Sequence, residues 1–167
     1  MRRLYLLRHA KSSWDEPGLG DRDRPLAPRG RKASKLIAEH LREEAIEPEL
    51  VLCSPSVRTR QTLERIGLED AEVRIEDELY GASAGELLAV LNDVADGVDS
   101  VMLIGHNPGM ESLALELAGS GAELARMREK FPTAALATLA FEGSWRELAP
   151  DSAELVAFVK PRELDRA

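Results

Sequence analysis

The chain has 167 residues, a length at which one core-bearing domain spanning residues 1–167 is the expectation and two full domains are not. Its 22 lysines and arginines stand against 30 aspartates and glutamates, and the formal charge of −8 excludes nucleic acid or another polyanion as a general partner. Any phosphate chemistry must then rest on a local cluster of cations. With 44% hydrophobic and 31% charged residues, the composition is that of a folded globular protein and not of a disordered chain. The longest apolar runs, Leu50–Cys53 and Val101–Ile104, fall far short of the ~20 residues that a membrane-spanning helix needs. Arg8-His9 cuts the N-terminal apolar stretch after four residues, so no export signal is expected. The single cysteine, Cys53, cannot form an internal disulfide, and a cytoplasmic location is the natural expectation.

In chain order, Leu4–Leu7 reads as a first strand. Residues 12–28 follow as an irregular segment with two glycines, three prolines and the charge run Asp21-Arg22-Asp23-Arg24. A loop of that length in a compact domain points to function more than to filler. Pro28-Arg29-Gly30 opens a helix to about Glu44, with Ala33, Leu36, Ile37, His40 and Leu41 on its apolar face. Leu50–Cys53 is the second strand, and Ser54 or Ser56 caps a helix over Val57–Ile66. Val73–Ile75 makes a weak third strand, Ala84–Val94 a helix, and Val101–Ile104 a strong buried strand. A helix over Glu111–Ala118 ends near Ser120-Gly121, after which Ala135–Phe141 and Leu155–Val159 form a hairpin-like pair around Gly143-Ser144. Short apolar runs alternating with helical periodicity predict an α/β fold with a largely buried parallel sheet.

Three of these strands end in chemistry-bearing residues: Arg8-His9, Ser54-Pro55-Ser56-Val57-Arg58-Thr59-Arg60, and Gly105-His106-Asn107-Pro108. Open α/β sheets bind their ligands outside the carboxyl ends of the strands, so two histidines and several arginines are expected to converge on one edge. Guanidinium groups hold phosphate oxygens in pairs and stay charged. A neutral imidazole beside them is a competent nucleophile toward phosphorus, because neighbouring positive charge keeps its nitrogen unprotonated. The second imidazole can hydrogen-bond a non-bridging oxygen. No His-x-His, His-Glu-x-x-His or paired-cysteine spacing supports a metal site, and neither metal nor cofactor is expected.

The string Arg8-His9-Ala10-Lys11-Ser12-Ser13-Trp14-Asp15 resembles the first motif of the histidine phosphatase superfamily, which includes the phosphoglycerate mutases and the SixA-type phosphohistidine phosphatases. Ser54–Thr62 is similar to its second motif, Gly105–Pro108 to its third, and Arg24-Pro25-Leu26 with Gly30 to a segment of the short SixA-like branch. The resemblance implies a three-layer sandwich with a mostly parallel central sheet flanked by helices. It implies His9 as the nucleophile that takes the phosphoryl group, Arg8 and Arg58 as the phosphate clamp, and His106 as the second histidine on the phosphate. Arg60 is the rival to Arg58. Glu78, or its neighbour Asp77, stands about where larger members carry the acid that protonates the leaving group, and the short branch often lacks one. Ser12 is a candidate phosphate contact. Two positions depart from the family pattern: Ala10 stands where glycine is usual, and Asp15 where mutase-like members carry a phosphate-contacting asparagine.

The implied activity is a metal-independent phosphatase working through a phosphohistidine at His9. Its partner would be a phosphohistidine-bearing protein, or else a small phosphorylated metabolite. A chain this short has little room for a cap over the site, which favours the protein. The alternatives are a small-molecule phosphomonoesterase of the same superfamily and a non-catalytic phosphate-binding domain; retention of both His9 and His106 speaks against the last. Cys53 reads as a buried small hydrophobe, and Trp14 as a lid over the site.

Overall fold

A computed structural model describes residues 1–68 and 70–165. The strands β1 (Arg2–Arg8), β2 (Leu50–Cys53) and β4 (Ser100–Gly105) carry near-continuous apolar runs because both faces of the sheet are covered. On one face Leu4, Leu6, Leu52 and Leu103 pack with α3 (Ala84–Asn92), α4 (Gly109–Leu117) and Trp145. On the other, Leu7, Val51, Met102 and Ile104 pack with Ile37 and Leu41 of α1 (Pro28–Glu43) and Ile66 of α2 (Val57–Ile66). The alternation follows from the two-residue period of a strand. Each fully buried leucine contributes about 1.5–3 kcal/mol.

Among the described residues, seven strands form one sheet in the order β3-β2-β4-β1-β6-β7-β5, with β3 (Glu72–Ile75), β5 (Ala118–Ser120), β6 (Leu136–Phe141) and β7 (Ala153–Val159) completing it. β3, β2, β4 and β1 run parallel, whereas β6 is antiparallel to both β1 and β7. The expected three-layer α/β architecture with a mostly parallel sheet is what the chain adopts. The hairpin-like C-terminal pair is β6 and β7.

Two short helices, α5 (Leu124–Glu129) and α6 (Pro161–Leu164), and strand β5 have no counterpart in the sequence reading. The expected helix end at Ser120-Gly121 is corrected: α4 stops at Leu117, and Ala118–Ser120 leaves as a strand paired with β7. Gly119 and Gly121 lie there against the backbone carbonyls of Asp151 and Leu155, too close for a side chain. β3 is an edge strand exposed at all four residues, which explains its weak apolar signal.

One glycine bears directly on the strand-end region. A Cβ at Gly30, in the first turn of α1, would sit 2.1 Å from the carbonyl oxygen of Lys11. Only glycine lets α1 start against the segment that follows β1. Ala27 donates to that same Lys11 carbonyl, and Ser12 bridges to Leu26, so residues 12–26 leave and return at one point beside the carboxyl end of β1.

Candidate active site

The carboxyl ends of β1, β2 and β4 lie side by side, with Arg8 in register with Gly105 and Cys53 with Ile104. His9 follows β1, Arg58 stands in the first turn of α2 after β2, and His106 follows β4. All three therefore meet at one edge. Ser56 caps α2 by accepting from the Thr59 amide, and Thr59 donates back to the Ser54 carbonyl at 2.7 Å. This locks the chain direction that places Arg58.

His9 is 8% exposed and its ring lies 5.4 Å from that of His106. Its Nδ1 is 2.7 Å from the Ala10 carbonyl, which can only accept, so Nδ1 carries the proton and Nε2 keeps a free lone pair. Burial, and then the positive charges of Arg58 and Arg8, hold the His9 imidazole down to about 3. Ala10, where glycine was the family pattern, is buried, lies outside the left-handed region and donates its amide to Thr62 Oγ1 at 3.0 Å. Alanine therefore costs no backbone strain there.

His106 has both ring nitrogens engaged. Arg58 Nη2 can only donate, so Nδ1 accepts at 3.3 Å, and Nε2 donates to Ser54 Oγ at 2.7 Å. Burial first, then Arg58, lower this imidazole to about 4. Arg8 donates from Nη1 to the Phe131 carbonyl at 3.1 Å, while its buried Nε has no partner among the described residues. Asn107 donates to the same Phe131 carbonyl and accepts from the Glu111 amide, bracing the segment that carries His106.

Arg58 is 6% exposed and faces His106, whereas its rival Arg60 is exposed in a neighbouring groove with Arg22, Asp23, Pro55 and Ile75. Ser12 is buried and accepts from Arg24 Nη2. Asp15 is exposed, and its amide donates to Ser13 Oγ at 3.1 Å. Trp14 lies flat on the Arg24 guanidinium, 3.3 Å from ring centroid to carbon, and is 71% exposed. Burial pushes the Cys53 thiol up to about 12, as suits a core residue.

Glu78, expected near the leaving group, is not brought into the cluster. It lies in a short 3-10 turn, Asp77–Leu79, whose successive side chains point different ways. Asp77 pairs with Arg22, Glu78 is exposed in a groove with Arg74, Glu76 and Asp93, and Leu79 enters the core. Tyr80 is the residue that reaches the site, edge-on to His106 at 5.4 Å.

Two site residues escaped the sequence reading: Tyr80 and Asp21. The Asp21 carboxylate accepts from Arg58 Nη2 at 3.0 Å, from Arg24 Nη1 at 2.9 Å and from the Tyr80 hydroxyl, and its carbonyl accepts from Arg58 Nη1 at 2.7 Å. The Tyr80 bond, with those of the arginines, holds this carboxyl at about 2. Asp21 was visible only as part of a charge run, three residues before the Arg24-Pro25-Leu26 segment.

Among the described residues, no group of three or more His, Cys, Asp or Glu side chains is arranged to hold a metal, and no helix is long and apolar enough to cross a membrane.

Residues 4–93 match the model of the histidine phosphatase superfamily (branch 1). The chain is 42% identical to an uncharacterized protein of Mycobacterium tuberculosis over 160 residues, covering 93% of this chain and all of that one. It is 35% identical over 120 residues to the phosphohistidine phosphatase SixA of Escherichia coli, covering 68% and 73% of the two chains. A solved structure of the protein histidine phosphatase SixA complexed with tungstate superposes with a TM-score of 0.79 at 27% identity, over 98% of this chain and 99% of that one. The motifs at three strand ends, the sheet that aligns them and these likenesses agree: the chain belongs to the histidine phosphatase superfamily, in its SixA-type branch, and is a phosphatase.

Proposed function

We propose that this phosphatase removes a phosphoryl group from a histidine side chain of a protein, through a covalent intermediate on His9. The observation that carries the mechanism is the His9 tautomer: Nδ1 is tied to the Ala10 carbonyl, Nε2 is free, and burial keeps the ring neutral at physiological pH. In the first step Nε2 bonds to phosphorus as the phosphorus–nitrogen bond of the substrate breaks. The departing imidazole leaves neutral because its nitrogen has taken a proton, so little help is needed from an acid of the enzyme. In the second step water attacks the phosphorylated His9, releasing inorganic phosphate and restoring the ring.

Arg8 and Arg58 neutralise the phosphoryl oxygens, and the unpartnered Arg8 Nε suits an added anion. An arriving dianion raises the proton affinity of His106, turning Nδ1 from acceptor to donor toward a phosphoryl oxygen. Ser12, fixed by Arg24, adds a hydroxyl at the rim.

The protein substrate is supported by the likeness to SixA enzymes and by what flanks the pocket. Between β3 and β4 the chain makes only a short turn and α3, and α3 packs on the core. Among the described residues, the 12–27 segment and Tyr80 form the rim beside Arg58 and His106, without an inserted helical cap. The test is a comparison of kcat/KM for a phosphohistidine protein and for p-nitrophenyl phosphate, with excess chelator present. A preference of about tenfold or more for the phosphohistidine protein is expected. An equal or reversed preference overturns the substrate assignment and favours a small-ester phosphatase.

A further inference from the structure

The arginine assigned to clamp phosphate has its fork occupied by its own chain. Nη1 of Arg58 donates to the Asp21 carbonyl and Nη2 to the Asp21 carboxylate. To a guanidinium, a carboxylate and a phosphoryl group present the same face: two oxygens spaced to meet two N–H donors. A phosphoryl group that pairs with both arms must therefore displace the Asp21 carboxylate from Nη2 and the Asp21 carbonyl from Nη1. Asp21 does not rest there by chance, because Arg24 grips its other oxygen and Tyr80 donates to the oxygen nearest Arg58.

We propose that Asp21 is a specificity-determining residue: its carboxylate is an internal competitor that must be displaced from Arg58 before a phosphoryl group can be held there. The inference rests on Arg58 acting as the clamp. Displacement costs every ligand the same. Inorganic phosphate and small esters have only their phosphoryl contacts to offset it, so their apparent affinity drops by the fraction of molecules with a free clamp. A phosphoryl group borne on a protein brings further contacts to the rim, where Trp14 and Arg22 are exposed. The internal anion thus protects the site from free phosphate, the product of its own reaction, and from small esters.

The size of the effect follows from exposure. The Asp21 side chain is 51% exposed while that of Arg58 is 8% exposed, so solvent screens the pair from one side and its hold is moderate. At neutral pH the carboxylate carries a full charge, since the Tyr80 and arginine bonds hold it at about 2. A factor of roughly five to thirty in affinity is the expected scale, not thousands.

The structure also supplies a reporter. Trp14 stacks on Arg24, which grips Asp21, whereas the other tryptophan, Trp145, is fully buried far along the chain. Displacing Asp21 disturbs the stack, so the Trp14 fluorescence should change on titration with phosphate.

The experiment measures the inhibition constant of inorganic phosphate, and the KM for p-nitrophenyl phosphate and for a phosphohistidine protein. It compares the native chain with Asp21→Ala, Asp21→Asn, Tyr80→Phe and Arg58→Ala. Phosphate should bind roughly five- to thirtyfold tighter to Asp21→Ala, and less markedly tighter to Asp21→Asn and Tyr80→Phe. The KM for the small ester should fall more than the KM for the protein, and the fluorescence change should shrink in Asp21→Ala. Phosphate binding that is unchanged or weaker in all the Asp21 and Tyr80 variants overturns the proposal and makes Asp21 a positioning residue for Arg58. Asp21→Asn, nearly isosteric, guards against misfolding of the alanine variant. Arg58→Ala should weaken phosphate binding at least roughly tenfold. If it does not, the clamp itself is misassigned, an outcome distinct from a failure of the Asp21 variants alone.

Discussion

The two ends of the parallel strands offer a comparison, because a groove lies at the amino ends and the cluster of histidines and arginines at the carboxyl ends. At the amino ends of β2 and β3, a groove of about 490 Å³ is lined by Leu41, Ile46, Ile66 and Leu68 together with Glu47, Glu49 and Asp70, with Arg42 as its one cation among the described residues. The last turns of α1 and α2 border it, and helix C-termini carry partial negative charge. Apart from Arg42, the charges there repel an anion. At the carboxyl ends the first turn of α2 brings partial positive charge, and Arg8, Arg58, His9 and His106 stand beside it. In a parallel strand–helix–strand unit each helix starts near the carboxyl end of the strand before it, which imposes this polarity on any such sheet. The difference teaches that a cavity's size says little; which end of the strand it faces decides whether phosphate can be held.

The sharpest way to break this comparison is to remove the proposed nucleophile, His9, from the carboxyl end. His9→Ala should lower turnover by on the order of 10⁴-fold or more, since the proposed covalent intermediate forms on His9. The acid-labile, base-stable phosphoenzyme expected on rapid quench of the native protein should be absent from the variant. A His9→Ala protein that still turns over within about tenfold of native would put the nucleophile elsewhere. Asp70→Asn, at the opposite end, should leave turnover unchanged.

The contrast between these ends also explains what the sequence could reveal. His9, Arg58 and His106 each lie within a few residues of an apolar strand's last residue, and the strand-end rule carries them to one edge without further information. Asp21 and Tyr80 obey no such rule. Asp21 meets Arg58 across 37 residues and Tyr80 across 59, through a 3-10 turn whose exit direction depends on what it packs against. Glu78 fails for the same reason in reverse: it is two residues from Tyr80, but two steps in a 3-10 turn swing a side chain most of the way to the opposite side. The seven-strand sheet was legible where runs are apolar on both faces, as in β2 and β4. It was illegible at β5, where Ala118-Gly119-Ser120 has no intrinsic strand preference and pairs only because β7 lies alongside.

A second, intermediate effect concerns pH. His9 and His106 sit at about 3 and about 4 in the folded chain, against an ordinary value near 6.5. Both pKa values are lowered by folding, so between those limits the unfolded chain binds protons that the folded chain refuses. Stability must then fall as pH drops from about 6.5 toward 4, by up to about 1.4 kcal/mol per pH unit for each histidine. Asp21 adds to the loss only below its ordinary value of 3.8, as protonation approaches about 2. Urea unfolding at pH 7.5, 6.0 and 5.0 should show a declining free energy, and the decline should be shallower in His9→Gln. A native curve no steeper than the variant's would mean that the His9 ring accepts a proton in the fold. Catalysis should keep its neutral nucleophile throughout that window, because His9 protonates only near 3.

The smallest expected effect tests how local the active end is. Glu78 is exposed, shares its groove with Arg74 and Asp93, and follows Asp77, whose side chain is drawn to Arg22. Losing its charge leaves the bonds among Asp21, Tyr80, Arg58 and His106 intact. Glu78→Gln should therefore change kcat by less than about twofold for p-nitrophenyl phosphate and for a phosphohistidine protein alike. A selective loss on the ester of about tenfold or more would mean that the Asp77–Leu79 turn rearranges in the substrate complex and delivers a leaving-group acid. The edge of the sheet would then be only part of the site, with the turn before Tyr80 supplying the rest.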